Sequence, residues 1–209
     1  MPTNRTDAGS FPAVGRKAPA FAALDADGRT VRLADLKGRI VVLYFYPKDD
    51  TPGCTTEACE FRDDHAALAR AGIAVLGVSP DGVDSHRRFA EKHRLPFTLL
   101  ADQEHEICRR YGVWQEKSSY GRTYWGVVRT TFVIDQRGRV AHVFEKVKPQ
   151  GHAAEVLAWI RDHLAPGGSD GRGGKEAGRT TRPSTAGPRR SPGPRRATSS
   201  RRAAKPGSR

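Results

Sequence analysis

The 209-residue sequence predicts an α/β domain, with a mixed central sheet and helices on both of its faces. Three observations carry that prediction. The run Ile40–Tyr46 (IVVLYFY) is β-branched and aromatic with no polar alternation, as a strand covered on both faces must be. Strand-like runs then alternate with helix-like segments, which requires crossovers and parallel pairing. Turn signals at Asp25-Ala26-Asp27-Gly28 and Gln136-Arg137-Gly138 join other strand-like runs directly, which requires antiparallel pairing.

In chain order, residues 1–13 read as a flexible lead-in to a single domain over 14–165. Phe21–Leu33 alternates around Asp-Gly and predicts a β-hairpin. Pro47, which has no N–H to donate, ends the ladder of the Ile40–Tyr46 strand, and the polar loop Lys48–Gly53 follows. Cys54–Ala71 is rich in helix formers, with Phe61, His65, Leu68 and Ala69 near helical spacing and Gly72 as the stop. Ile73–Val78 is a second apolar strand. Asp84–His93 is a helix that ends before Leu95-Pro96. A short strand over Phe97–Leu100, a helix over Glu104–Tyr111, a hairpin of Thr130–Asp135 with Arg139–Phe144, and an amphipathic helix over His152–Leu164 complete the order.

The 36 Lys and Arg against 23 Asp and Glu give a net charge of +13, but the excess is not spread evenly. Residues 166–209 hold ten Arg and two Lys against two acidic residues, leaving residues 1–165 with 24 basic and 21 acidic groups. Those last 44 residues include nine Gly and six Pro and no Val, Ile, Leu, Phe, Tyr, Trp, Met or Cys. Nothing in them offsets the entropy of ordering, so they read as a basic disordered tail. Arg pairs at 189–190, 195–196 and 201–202 suit weak, nonspecific contact with nucleic-acid phosphates.

Several function classes are excluded by the same reading. No apolar run is long enough to span a membrane. Met1–Ser10 is polar and leads into no apolar stretch, so a secretory leader is not expected and a cytoplasmic location is. Three cysteines cannot form a disulfide framework and read as chemistry or filler. No His or Cys/His cluster has metal-ligand spacing, and no glycine loop suits a phosphate, so neither a metal nor a cofactor is expected. Asp49-Asp50 and Asp63-Asp64 read as solvated charges.

The chemistry concentrates in Tyr44–Cys59. A thiol attacks only as thiolate, and a free one near pKa 8.5 is mostly protonated at neutral pH. Cys54 follows a strand and Pro52-Gly53, where the first turn of a helix begins and its free N–H groups favour an anion. Thr51 lies within loop reach as a hydroxyl donor. Taken alone, Cys54 could equally be a buried cysteine that opens a helix. Cys59 adds a second sulfur. Five residues of ideal helix separate Cα atoms by roughly 8–9 Å, beyond the ~7 Å limit for a disulfide. A Cys54–Cys59 bond would therefore require the helix start to melt, which suits a redox cycle better than a structural crosslink. Cys108 has no such partner and reads as filler.

Pro47-x-x-x-Thr51-x-x-Cys54 after an aromatic strand resembles the active-site signature of the peroxiredoxins. Thr51-Pro52-Gly53-Cys54-Thr55 with Cys59 is similar to the bacterioferritin comigratory protein, or peroxiredoxin Q, subfamily. Lys17-Ala18-Pro19-Ala20-Phe21 resembles that family's opening segment, and Gly126–Asp135 the segment that carries its active-site arginine, here Arg129. The resemblance covers roughly residues 14–164. It implies a thioredoxin-like fold with the peroxiredoxin N-terminal hairpin, and a thiol peroxidase acting on hydrogen peroxide and organic hydroperoxides in antioxidant defence. Cys54 would be the peroxidatic cysteine and would form a sulfenic acid. Thr51 would orient the peroxide, Arg129 would stabilise the thiolate and the leaving oxygen, and Pro47 would shield the sulfenate. Glu57 would anchor the arginine, or else be a solvated helix carboxylate. Cys59 would resolve the sulfenic acid as a disulfide, reduced by a thioredoxin-like dithiol; an intramolecular resolving cysteine permits a monomer.

A general dithiol oxidoreductase on a thioredoxin scaffold is the competing enzyme reading, though its usual Cys-x2-Cys spacing is Cys-x4-Cys here. Nucleic-acid association through the tail is the competing reading of another class. It predicts a DNA mobility shift that weakens with salt and that is lost on truncation after Leu164; equal binding by both forms would remove it.

Overall fold

The computed structural model describes residues 10–119 and 121–164. The basic tail expected over 166–209 and most of the lead-in therefore lie outside the described residues. Seven strands form one sheet: β1 (Ala22–Asp25), β2 (Thr30–Arg32), β3 (Ile40–Phe45), β4 (Ile73–Ser79), β5 (Thr98–Ala101), β8 (Thr130–Ile134) and β9 (Val140–Phe144), in the order β2-β1-β5-β4-β3-β8-β9. A separate hairpin pairs β6 (Trp114–Ser119) with β7 (Arg122–Val127). The helices are α1 (Pro52–Asp63), α2 (His65–Arg70), α3 (Val83–His93), α4 (Glu106–Arg110) and α5 (His152–Leu164), with a 3-10 turn at Leu33–Leu36.

β3 is buried at every residue. It runs parallel to β4 and antiparallel to β8, so the sheet is mixed, as the alternation of crossovers and hairpins requires. Its side chains divide the core. Val41, Leu43 and Phe45 pack on one face with Phe21, Leu76, Ile107, Tyr111 and Phe132. Ile40, Val42, Tyr44 and Tyr46 pack on the other with Cys54, Phe61, Leu68, Phe89 and Val156. Helices α1, α2, α3 and α5 thus cover one face, and α4 with the entering chain covers the other. Phe11 already belongs to this second layer, edge-on to Phe132 at 6.0 Å between ring centroids.

Most expected elements form within a residue or two of their predicted bounds, with three differences. The helix expected over Cys54–Ala71 breaks at Asp64 (φ −85°, ψ −3°), where two consecutive aspartates, weak helix formers, allow the chain to turn Leu68 into the core. It also starts earlier, because Pro52 takes the first helical position after Thr51, leaving Cys54 in the first turn. The β6–β7 hairpin was not expected at all. It stands off the main sheet, and residues Arg122–Trp125 are exposed, so it leaves no buried apolar run in the sequence.

Gly77 of β4 lies opposite Tyr44 of β3. A Cβ there would sit 2.7 Å from Tyr44 Cζ and Oη and 2.8 Å from Leu99 Cδ2, where neither ring nor side chain has room to yield. Gly77→Ala is expected to destabilise the fold by about 1–3 kcal/mol through overpacking. Urea denaturation measures it, and an unchanged midpoint would contradict the close packing of Tyr44.

Candidate active site

The site forms where β3 ends and α1 begins. Tyr46 N–H still donates to Val78 O at 3.1 Å; Pro47 has no N–H with which to continue. Asp50 adopts a left-handed φ of 57°, turning the chain sharply, and Thr51 returns to an extended conformation as the residue that caps α1. The Thr51 hydroxyl does not bond the helix N–H groups; it donates to Lys48 O at 3.1 Å. The first helical bond closes from Thr55 N–H to Thr51 O at 2.8 Å, so the N–H groups ahead of it have no intrahelical acceptor. Cys54 sits in that turn, 1% exposed, with its sulfur in the core layer that holds Tyr44 and Phe61.

Arg129 reaches the same point from the short link between β7 and β8. Its Nη2 donates to Cys54 Sγ at 3.2 Å, and its Nη1 pairs with Glu57 Oε2. Glu57 is three residues beyond Cys54, on the same face of α1, and fully buried. Burial raises its carboxyl to about 7, against the pull of Arg129, and Glu60 adds to the rise. Burial also works against the Arg129 charge, but Glu57 and Cys54 more than compensate and hold it above the ordinary arginine value. Glu57 Oε1 and the Tyr44 hydroxyl are buried without a hydrogen-bond partner. Burial, then the nearby Glu57 carboxylate, raise Tyr44 well above the usual phenol range.

The expected site residues are not all brought together. Cys54, Glu57 and Arg129 are in direct contact or share one helix face. Thr51 and Pro47 lie in the loop before them, and Pro47 is exposed. Cys59 is half-buried on α1, its thiol free like that of Cys54. Because α1 runs unbroken from Pro52 to Asp63, the two sulfurs are carried at helical spacing, roughly 8–9 Å between Cα atoms, and are not poised to bond. Cys108 belongs to the opposite core layer, where burial and then the Asp102 carboxylate push its thiol far up.

Two neighbours escape sequence reasoning. Lys117 of β6 donates to Val127 O at 2.9 Å and sits near enough to Cys54 for the two to interact electrostatically; burial and Arg129 lower its pKa. Only the β6–β7 hairpin brings it there, and the one local signal is Gly121, whose φ of 75° suits the turn. Asp49, expected to be a solvated charge, is instead 6% exposed and fully bonded, a correction that follows from its partners on α3. Among the described residues no group of His, Cys, Asp or Glu could hold a metal ion, and no helix is long and apolar enough to cross a membrane.

A thiol at a helix start, bonded by an arginine that a buried glutamate holds, is an arrangement for stabilising a sulfur anion. The AhpC/TSA family model matches residues 14–143. The chain belongs to the AhpC/TSA family. Peroxiredoxin Bcp of Bacillus subtilis is 48% identical over 149 residues, which cover 71% of this chain and 95% of that one. Its counterpart in Escherichia coli K12 is also 48% identical over 149 residues, covering 71% and 96%. The structure of Xanthomonas campestris peroxiredoxin Q matches with a TM-score of 0.68 and 38% identity, over 72% of this chain and 98% of that one. A structure of the bacterioferritin comigratory protein from that organism, studied for its alkyl peroxide reduction, matches with the same TM-score at 37% identity. Family, thioredoxin-like fold and peroxidase class are thus those the sequence resemblance implied.

Glu57 generates a prediction for this peroxiredoxin. Its folded carboxyl, near 7, lies above the unfolded value of 4.5, so the folded chain binds the extra proton between them. Stability from this group is full below the unfolded value and is lost as pH rises through about 7. Relative to Glu57→Gln, which does not titrate, the parent should lose about 3 kcal/mol between roughly pH 4.5 and 8. Parallel urea titrations of the two proteins would show it; superimposable pH profiles would contradict it.

Proposed function

We propose that this family member reduces hydrogen peroxide and organic hydroperoxides through a Cys54 sulfenic acid and a Cys54–Cys59 disulfide. The Arg129 guanidinium, bonded at once to the Cys54 sulfur and the Glu57 carboxylate, is the observation that carries the reading. The Cys54 thiolate attacks the terminal peroxide oxygen. A sulfur–oxygen bond forms, the O–O bond breaks, and its electron pair leaves on the second oxygen, which takes a proton and departs as water or an alcohol. Arg129 donates where that charge develops, and Glu57 holds it there. The Thr51 proton is engaged by Lys48 O, which leaves the oxygen's lone pairs free to accept a peroxide O–H. Pro47 shapes the loop and shields the sulfenate.

Cys59 then attacks the sulfenic sulfur, releasing water as the disulfide forms. The first turns of α1 must unwind for the sulfurs to meet. A thioredoxin-like dithiol reduces the disulfide, becoming oxidised itself and returning both thiols. The protein acts as a monomer in the cytoplasm.

Cys54→Ser is expected to abolish peroxide consumption, whereas Cys59→Ser should lose turnover but still form a sulfenic acid trappable by dimedone. Mass spectrometry after one equivalent of peroxide should find Cys54 joined to Cys59 and Cys108 free. Full activity in Cys54→Ser would overturn the reading. Arg129→Ala should slow peroxide attack by about 10²–10³, as loss of one preorganised donor does. Insulin reduction measured beside peroxide reduction separates this activity from a general dithiol oxidoreductase, for which Arg129 and Glu57 have no task.

A further inference from the structure

The loop that carries Thr51 is held at its middle by one buried carboxylate. Asp49 lies two residues after Pro47 and two before Thr51. Its Oδ1 accepts from the Tyr46 hydroxyl at 2.7 Å, and its Oδ2 accepts from the Ser85 hydroxyl at 2.7 Å and from His86 Nδ1 at 2.9 Å. Its own N–H donates to Asp81 Oδ2 at 2.8 Å, and Asp81 in turn accepts from the Ser79 hydroxyl at 2.7 Å. Three elements therefore grip one residue: the end of β3 through Tyr46, the exit of β4 through Ser79 and Asp81, and α3 through Ser85 and His86. His86 is fully buried, and its bond to the carboxylate places the proton on Nδ1, with Nε2 left unpartnered.

Such an arrangement is costly unless it fixes something. A buried carboxylate is tolerated only when its lone pairs are bonded, and these bonds are directional. On either side of Asp49 the loop is exposed at Pro47, Lys48 and Asp50; Asp50 meets Lys92 Nζ at 2.9 Å and His93 Nε2 at 3.0 Å, surface contacts that hold the loop only weakly. The peroxide step needs Thr51 and the first turn of α1 in place, whereas the disulfide step needs that turn to unwind. The two steps thus place opposite demands on the same short segment.

We infer that Asp49 is the positioning residue of the peroxidatic loop: it holds Thr51 and the start of α1 in the geometry of peroxide attack, without taking part in the disulfide step. The inference rests on the peroxidase reading above. Asp49→Asn keeps the shape and removes the charge that Ser85 and His86 bond. In the full chain it should slow sulfenic acid formation with hydrogen peroxide at least tenfold, followed by stopped-flow tryptophan fluorescence. Disulfide formation should run as fast as in the parent or faster. Alkylation of Cys54 by iodoacetamide, which needs the thiolate but not Thr51, should stay within threefold of the parent or rise. A peroxide rate within twofold of the parent would overturn the inference, and so would a parallel fall in all three rates, the mark of general damage. Should Asp49→Asn fail to fold, Ser85→Ala removes one donor and should slow the peroxide step at least threefold, again with disulfide formation intact; an unchanged rate counts against the inference. Cys54→Ser, run alongside, separates failure of the peroxidase reading from failure of this one.

Discussion

One half-buried arginine, Arg129, governs the arrangement of the site. Taking a guanidinium out of water costs several kcal/mol, and only well-placed opposite charge offsets it. Arg129 finds that charge in a carboxylate and a sulfur 72 and 75 residues earlier in the chain, both on the first turns of α1. This demand explains the topology at the centre of the sheet. β8 must lie antiparallel beside β3 with Thr130 opposite Phe45, because that register delivers the preceding residue, Arg129, to the point where β3 ends and α1 starts. The backbone there is held as well: Val147 N–H donates to Arg129 O at 3.1 Å, and the buried Thr130 hydroxyl to Val128 O at 3.0 Å.

The same cluster sets the cost of the conformational change that the proposed disulfide requires. Unwinding the start of α1 separates Glu57 from Arg129, since Glu57 lies between the two cysteines. Arg129 tolerates this because its side chain is 14% exposed and has access to water, whereas Glu57 is wholly buried and gains solvation on leaving. The rest of α1 is tethered. Phe61 stacks on Tyr44 with centroids 4.9 Å apart, and Arg62 Nη1 donates to His93 O at 2.9 Å. Unwinding of the kind the proposed disulfide needs would therefore fall on the turns that carry Cys54 and Cys59, ahead of the Phe61 and Arg62 contacts.

How much of this could be read from the sequence follows from the range of the interactions. The buried central strand, the helix start at Cys54 and the flanking hairpin rest on local pattern, and each forms near its expected place. From the sequence Glu57 reads equally as anchor or solvated carboxylate, because its environment depends on a partner 72 residues away. Asp49 differs from its sequence reading for the same reason: beside Asp50 in a polar loop it looks solvated, but the bonds to its Oδ2 come from Ser85 and His86, 36 and 37 residues on. The β6–β7 hairpin escaped because its exposed residues carry no apolar alternation, and Lys117 escaped with it. Arg129 is legible only through a motif; its position and charge alone mark an edge residue.

The three cysteines are alike in composition but are separated by their surroundings. Cys54 lies at the open end of a helix with a guanidinium 3.2 Å from its sulfur, so its surroundings favour negative charge. Cys108 is equally buried but lies across the sheet beside Asp102, whose carboxylate also bonds the N–H groups of Ile107 and Cys108 at 3.1 and 2.8 Å. A negative charge at that sulfur would face both burial and a like charge. Cys59 is half-buried on α1 between buried Ala58 and Phe61, close enough to the Arg62 guanidinium to interact with it. Burial is thus the same at Cys54 and Cys108, and what differs is the group nearest each sulfur, a guanidinium at Cys54 and a carboxylate at Cys108.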